Sequence, residues 1–321
     1  MVRRPHPHAQ PPPDLRVIEL PGSGPEDVLP EPDGTVLCGL SDGRIVRLEC
    51  DGTIRAIART GGRPLGLERL PDRRLLICDA ERGLLAIDTD LPDAPLQVLC
   101  DQVAGAPLRL CNNASAAADG TIWFTDSSAR YGLADVVRDV VENTRTGRLL
   151  RLDPDGEVHV VMGGLGFANG VAVLPGPAGD RVLVAATAEA VIHAVWVSGP
   201  RKGACERFAD KLPLMPDNLS VGTDGLIWVG CPSRAEASLV RVHRLPRPLR
   251  RFIGFLAGRL GAEAKPFIGA MAFDPSGRMV HRFEMDHREF RNVTGVRERD
   301  GTVWLGSLDR AALARFDFAP S

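Results

Sequence analysis

The chain is poor in several features that mark common functions, and each absence removes a class. Its seven cysteines (Cys38, Cys50, Cys78, Cys100, Cys111, Cys205 and Cys231) form no CxxC pair and no Cys/His cluster at zinc spacing, so no zinc module or thiol-redox pair is indicated. An odd, scattered set fits small buried hydrophobes in a reducing compartment. No stretch reaches the roughly 18 to 20 apolar residues of a spanning helix. The opening MVRRPHPHAQPPPD is basic, then Pro-rich, and lacks the apolar run of a signal peptide. The expectation is a disordered or polyproline-like lead over residues 1–15, a cytoplasmic protein and no stable membrane insertion. A net charge of −2 gives no electrostatic case for nucleic acid, so a small molecule is the default partner. GxSxG, Walker A, GxGxxG and HExxH motifs are absent from any context that would support them. Nothing in the sequence fixes an oligomeric state.

What is present is enough apolar material for a core, 44% of 321 residues, and a recurring phrase. PDGTVLCGL, CDGTIRAIA, ADGTIWFTD, PDGEVHVVM, TDGLIWVGC, PSGRMVHRF and RDGTVWLGS each place Asp-Gly or a near equivalent before an apolar, β-branched run. Such dipeptides tolerate positive φ in tight hairpins, and the runs that follow prefer pleated strands. Further strand candidates, RLLICDA, GLLAIDT, GRLLRLD, VLVAATA and IHAVWVS, lie between them. Each cluster occupies about 40 to 50 residues, the period of a four-stranded propeller blade. The expectation is an all-β chain in which residues 16–321 form one six-bladed β-propeller, with five or seven blades as alternatives. A βαβ sheet would need long amphipathic helices between strands, and few are visible.

Two segments read as helical excursions from the blade rims, GLADVVRDVVEN (132–143) and PLRRFIGFLAGRLG (248–261). The second alternates Arg250, Arg251 and Arg259 with Phe252, Ile253, Phe255 and Leu256. It is expected to pack its apolar face on the propeller top, with a lid or a membrane-contacting surface as alternatives.

Polar residues recur about once per blade at loop-to-strand junctions: Glu26 in GPEDVL, Asn112 in LRLCNNASAAADG, Asn169 in GLGFANGVAVL, and Asp217 with Asn218 in MPDNLSVGTDG. Any one of them reads as an Asx turn. Their joint placement at the loops around a propeller channel points to a shared location. Carboxylate and amide oxygens are the hard ligands that calcium takes, leaving coordination positions for water or substrate. Magnesium or manganese would use the same ligand types, and zinc is less natural without His or Cys.

These residues, together with GRPLGLERL, LLICDAERGLLAID, ADGTIWFTDSSARYG, TGRLLRLDPDGEVHVVMGGLGFANGVAV, SGPRKGACERFADKLPLMPDNLSVGTDGLIWVG and VTGVRERDGTVWLGSL, resemble the strictosidine synthase-like branch of six-bladed calcium propellers. That branch is related to senescence marker protein 30, gluconolactonase and the paraoxonases. The resemblance runs from about residue 20 to the end. It implies a central calcium held by Glu26, Asn112, Asn169 and Asp217, with Asn218 beside it. Asn113 stands where relatives often have Asp, implying a substrate-contacting or supporting role, and Ser115 stands where an acidic residue is usual. Thr294 occupies the position of the glutamate that plant strictosidine synthases use, which disfavours carbon-nitrogen bond formation. Pro232 stands where a paraoxonase histidine would be. What remains implied is a lactonase or esterase with Asp217 as candidate general base; a ligand-binding propeller with structural calcium is the non-enzymatic alternative.

Three other features read as structural. Ser127 and Ser128 beside Asp126 have no recognisable partner histidine and read as a turn. Asp79 precedes a turn. Arg63 has the bidentate fork to reach a substrate carboxylate, but an ion pair within its blade is the simpler reading.

Overall fold

The computed structural model describes residues 7–91, 93–260 and 266–318. Six four-stranded antiparallel sheets stand around one channel, a six-bladed β-propeller. Blade 1 runs from Val28–Pro30 to Ile54–Arg59 and blade 2 from Pro64–Arg69 to Gln97–Cys100. Blade 3 runs from Cys111–Ala116 to Val158–Leu165, blade 4 from Ala168–Leu174 to Cys205–Ala209, and blade 5 from Leu219–Val221 to Met279–Asp286. Blade 6 takes three strands from the C-terminal end, Val293–Arg299, Thr302–Ser307 and Ala312–Asp317. Its fourth is Arg16–Glu19, paired antiparallel with Ala312–Asp317 from Arg16↔Arg315 to Glu19↔Ala312. The two ends of the propeller thus close the circle with a hydrogen-bonded ladder in which Arg16–Glu19 is the outermost strand of blade 6. Gln10, within the expected lead, also bonds: its N–H donates to Arg282 O and its carbonyl accepts from Glu284 N. Residues 1–6 of that lead lie outside the described ones.

The Asp-Gly phrases make the turns. At Pro32–Gly34, Gly34 has φ +86°, and Asp33 Oδ1 accepts from Thr35 N at 2.9 Å. The carboxylate thereby satisfies the first backbone donor after the turn while glycine supplies the left-handed residue. Apolar faces interlock between neighbouring blades. Leu183, Ile192 and Phe208 of blade 4 share one buried cluster with Val229, Phe267 and Met271 of blade 5.

The helical excursions are α1 (Val136–Glu142), α2 (Ala237–His243) and α3 (Arg247–Leu260). α1 lies within the expected 132–143, preceded by a 3-10 turn at Leu133–Asp135. α3 covers the described part of 248–261, and α2 was not expected. All three occupy the connection between the second and third strands of a blade, α1 in blade 3 and the others in blade 5. Antiparallel order puts those connections on the same face as the starts of the inner strands. Among the described residues no helix is long and apolar enough to cross a membrane.

Candidate functional site: a polar ring at the starts of the inner strands

In each blade the inner and second strands settle into regular pairing at one residue: Val28↔Cys38, Leu67↔Ile77, Ala114↔Phe124, Val171↔Val184, Leu219↔Val229 and Val296↔Leu305. The residues two positions earlier are Glu26, Leu65, Asn112, Asn169, Asp217 and Thr294. In blades 2, 3, 4 and 6 that position falls in a register shift of the inner strand, and such bulges re-aim a side chain out of the pleat. All four residues first singled out as ligands therefore stand at equivalent places around one axis. Leu65 and Thr294 complete the set.

Close backbone approach tightens the ring. The next residues around the circle are Asp27, Gly66, Asn113, Gly170, Asn218 and Gly295, so every second one is glycine. A Cβ at Gly170 would lie 2.6 Å from Asn218 Cα, and one at Gly66 2.7 Å from Asn113 Cα. Glycine is needed there for room to let adjacent inner strands close up.

All five candidate ligands are buried. Asn218 Nδ2 donates to both Glu26 oxygens at 3.0 Å, bringing blades 1 and 5 into direct contact although 192 residues separate the partners. Asn169 Nδ2 donates to Thr187 Oγ1 at 3.2 Å, and that hydroxyl donates to Pro216 O at 2.7 Å. Four side-chain oxygens of the ring, on Asn112, Asn169, Asp217 and Asn218 (Oδ1 in each), are buried with no hydrogen-bond partner. Buried polar atoms are normally paired, so four unpaired oxygens, three at equivalent positions and the fourth on the adjoining Asn218, mark a place suited to a donor or cation from outside the chain. Among the described residues no three His, Cys, Asp or Glu side chains converge on a metal-sized space. The donors of the ring are two carboxylates and three amides, a set suited to a hard cation.

Electrostatics point the same way. Burial, then the nearby carboxylates of Asp217 and Asp27, raise the Glu26 carboxyl well above its ordinary range. Burial pushes the Asp217 carboxyl up to about 8, against the opposing pull of Asn169 and the Asn218 backbone. Two like charges in a dry ring favour a proton or a cation beside them.

Several residues take roles different from those expected or were not singled out. Asn113, expected to touch substrate, has both ends of its amide engaged: Oδ1 accepts from Val171 N at 3.1 Å and Nδ2 points to Asp27 Oδ2 at 3.5 Å. It ties blades 1, 3 and 4 together. Thr294 Oγ1 donates to the Glu26 carbonyl at 2.7 Å, and its own carbonyl accepts from Asn218 N at 3.2 Å. Ser115 Oγ accepts from Val173 N at 3.1 Å. Asp79 Oδ1 accepts three backbone N–H groups, those of Arg63, Glu81 and Arg82, so it is a turn anchor as expected. Asp126 likewise takes Leu110 N and Arg148 Nη2, and Ser128 Oγ accepts from Arg130 N and Tyr131 N. Arg63 is buried beside the ring, its Nη1 donating to Pro64 O at 3.0 Å. Burial lowers its pKa, while Glu26, Asp79 and Glu81 oppose that shift.

Sequence reading missed the partner system of Asp27. Its Oδ2 accepts from Leu67 N at 3.1 Å and from Arg297 Nη2 at 3.3 Å, and Arg297 Nη1 donates to Glu68 Oε2 at 3.1 Å. Arg297 also reaches Leu67 O. The adjacency of Glu26 and Asp27 was the available signal, because neighbouring residues in extended chain point opposite ways. Further along the channel, at the far ends of the inner strands, lies a cavity of about 690 Å³ lined by Arg297, Glu68, Arg69, Ser115, Val173 and Leu219 among others. On the ring's other side Leu133, Val136 and Val140 of the α1 region pack on Leu65, Leu110, Phe167 and Ala188, an apolar roof over blades 2 to 4.

Comparison with known proteins places this geometry in a family. The strictosidine synthase profile matches residues 114–200, and the strictosidine synthase-like N-terminal profile matches residues 13–48. The adipocyte plasma membrane-associated protein of Homo sapiens is 32% identical over 338 residues, covering 94% of this chain and 76% of that protein. Strictosidine synthase-like 10 of Arabidopsis thaliana is 32% identical over 336 residues, covering 92% of this chain and 86% of that protein. Among solved structures, a gluconolactonase from Xanthomonas campestris superimposes with a TM-score of 0.67 over 98% of this chain and 99% of that one, at 17% identity. A calcium-binding regucalcin from Agrobacterium tumefaciens gives 0.62 over 92% of each chain, at 13% identity. These two likenesses establish the shared propeller.

Proposed function

The chain belongs to the strictosidine synthase-like family that includes the adipocyte plasma membrane-associated proteins, and on that premise we propose that it is a calcium-dependent hydrolase of small lactones or esters. The observation that carries the reading is the set of four unpaired, buried oxygens gathered with the Glu26 carboxylate at the starts of the inner strands. Glu26, Asn112, Asn169, Asp217 and Asn218 would hold the ion. A calcium ion bound there supplies positive charge that polarises the substrate carbonyl and offsets negative charge developing on its oxygen.

The chain's own residues do the rest. Asp217 Oδ1, which has no hydrogen-bond donor of its own, takes a proton from an attacking water as the water oxygen bonds to the carbonyl carbon. The proton then passes to the departing alkoxide as the ester bond breaks, leaving acid and alcohol. Asn218 fixes the Glu26 carboxylate by donating to both its oxygens, and Asn169 braces Asp217. The apolar roof of Leu133, Val136 and Val140 excludes water from one side and favours a substrate with an apolar acyl portion. Thr294, spending its hydroxyl on a backbone carbonyl, offers no carboxylate for joining an amine to an aldehyde. The names of the structural neighbours, a gluconolactonase and a calcium-binding regucalcin, agree with this reading.

The test is a panel of lactones and aryl esters assayed with purified protein, with calcium and with chelator. Calcium-dependent turnover lost in Asp217→Ala, with the fold retained, is the expected result. Calcium that raises the thermal midpoint without any turnover would favour a ligand-binding propeller with structural calcium. Condensation of an amine with an aldehyde would favour the synthase.

A further inference from the structure

α3 is docked with its faces reversed. At about 100° per residue, Leu249, Phe252, Leu256 and Leu260 fall within an arc of roughly 80°, and they are 45%, 59%, 40% and 84% exposed. The side turned to the protein carries Arg250, Gly254 and Ala257, with Ile253 half-buried at its margin. Gly254 is buried, and a methyl group there would come within 2.7 Å of Glu142 Cγ on α1. Gly258 faces Arg138 Cβ, and Arg250 Nη1 donates to Asn143 O at 3.4 Å. The expectation that this helix would seal its apolar face onto the propeller is thus overturned. Two glycines let it lie close to α1 on its small side, and the apolar stripe is left facing water. Val240 of α2, 50% exposed, adds to the same excursion.

An amphipathic surface helix normally turns such a stripe to the core, and an exposed stripe of this size marks a binding surface. Charge says what it binds. Residues 237–260 contain six arginines and His243 and not one Asp or Glu. Arg241, Arg244, Arg247, Arg251 and Arg259 are exposed. Two acidic residues of α1 beneath are already engaged, Glu142 by Tyr131 and Arg138 and Asp139 by Thr144, and the charge of Asp135 acts on Arg138. Aromatic and leucine side chains projecting between arginines, without a carboxylate to repel phosphate, complement an anionic lipid surface.

We propose that α3, with Val240, is an interfacial docking element by which the propeller adsorbs reversibly to anionic lipid bilayers. The helix lies in the plane of the headgroups, Phe252, Leu256 and Leu260 enter the acyl boundary, and the arginines contact lipid phosphates. Adsorption needs no spanning segment and leaves the propeller in water.

The experiment is co-sedimentation of the full-length chain with vesicles of phosphatidylglycerol and phosphatidylcholine, against vesicles of phosphatidylcholine alone, at low and high salt. The expected result is at least tenfold tighter binding to the anionic vesicles, weakened by salt. In Phe252→Glu/Leu256→Glu, binding should fall at least tenfold while thermal unfolding and circular dichroism stay as in the parent. In Arg247→Gln/Arg251→Gln/Arg259→Gln, the preference for anionic lipid should disappear. Parent-like binding by the double glutamate variant overturns the proposal, as does equal affinity of the parent for both vesicles. Absence of vesicle binding, together with a dimer in sedimentation that Leu256→Glu dissolves, overturns it too and assigns the stripe to a second copy of the chain.

Discussion

Glu26 and Asp27 are neighbours in sequence, both buried carboxylates on the same channel, yet the chain treats them in opposite ways. Asp27 is met by a guanidinium: Arg297 bonds it and Glu68, and Val28 N, Leu67 N and Asn113 Nδ2 add donors. Burial alone would lower the pKa of Arg297, and the carboxylates of Glu68 and Asp27 outweigh that and raise it. Glu26 has one amide donor side chain, a second carboxylate in Asp217, and a ring of oxygens without partners, and the Arg63 guanidinium acts on it only as the weakest of the influences on its pKa, without a bond. One cluster bonds its own cation; on the proposed function the other takes its cation from solution. A buried charge that the chain bonds to its own cation is architecture, and one left without such a bond beside unpartnered oxygens is the place to test for a bound ion.

The largest expected effect comes from removing the built-in cation. Arg297→Met keeps most of the side-chain volume but leaves Asp27 and Glu68 facing each other uncompensated. Losing one partner of a buried pair costs about 3 to 5 kcal/mol, so denaturant titration should show a loss of that order. The loss should be the same with and without calcium if the Asp27 cluster is architecture. If calcium restores the variant to parental stability, that cluster has become a second cation site and the contrast with the ring weakens.

Next in size is the pH dependence of the cation-free chain. Burial raises both ring carboxyls above their unfolded values, Asp217 from 3.8 to about 8 and Glu26 upward from 4.5. Between roughly pH 4 and 8 the folded chain therefore holds protons that the unfolded chain has released. Stability without cation falls as pH rises through that window, by up to ~1.4 kcal/mol per pH unit for each such proton. On the proposed function calcium takes the ionised carboxylates, so its stabilisation should grow over the same range. Thermal midpoints measured from pH 5 to 8 in chelator should decline, and the gap to the calcium-loaded curve should widen. A chelator curve that rises with pH would refute the picture of two carboxyls that burial keeps protonated.

Much of this was legible in the sequence, and the limits have physical reasons. Asp-Gly turns declared the hairpins because positive φ restricts the residues that fit there, and hairpin spacing gave six blades. Glu26, Asn112, Asn169 and Asp217 could be picked out because each precedes an apolar strand at the same point of its blade, so repetition substituted for contact information. Arg297 had no such signal. In VTGVRERDG it reads as a solvent-facing residue of an alternating strand, and its partner Asp27 lies 270 residues away. The periodicity of α3 announced an amphipathic helix but could not say which face turned inward, because that was decided by Gly254 and Gly258 against α1. Asn113 was singled out because it stands where relatives often have Asp, yet one step along extended chain from Asn112 sends its side chain into the bonds between blades.

The smallest effect tests where the ring ends. Thr294 is the sixth residue of the circle and straps its two acidic segments together, donating its hydroxyl to the Glu26 carbonyl and accepting from Asn218 N. Thr294→Val keeps the shape and removes only the hydroxyl, leaving a buried carbonyl short of one donor at a cost of about 1 to 3 kcal/mol. The backbone bond to Asn218 survives the substitution, and the Glu26 carboxylate keeps both bonds from Asn218 Nδ2. Denaturation should therefore show a modest loss of equal size with and without calcium, and a calcium titration followed by calorimetry should give parental affinity. A tenfold fall in that affinity would mean that the hydroxyl sets the position of Glu26 in the site. Thr294 would then belong with the unbalanced ring rather than with the architecture that supports it.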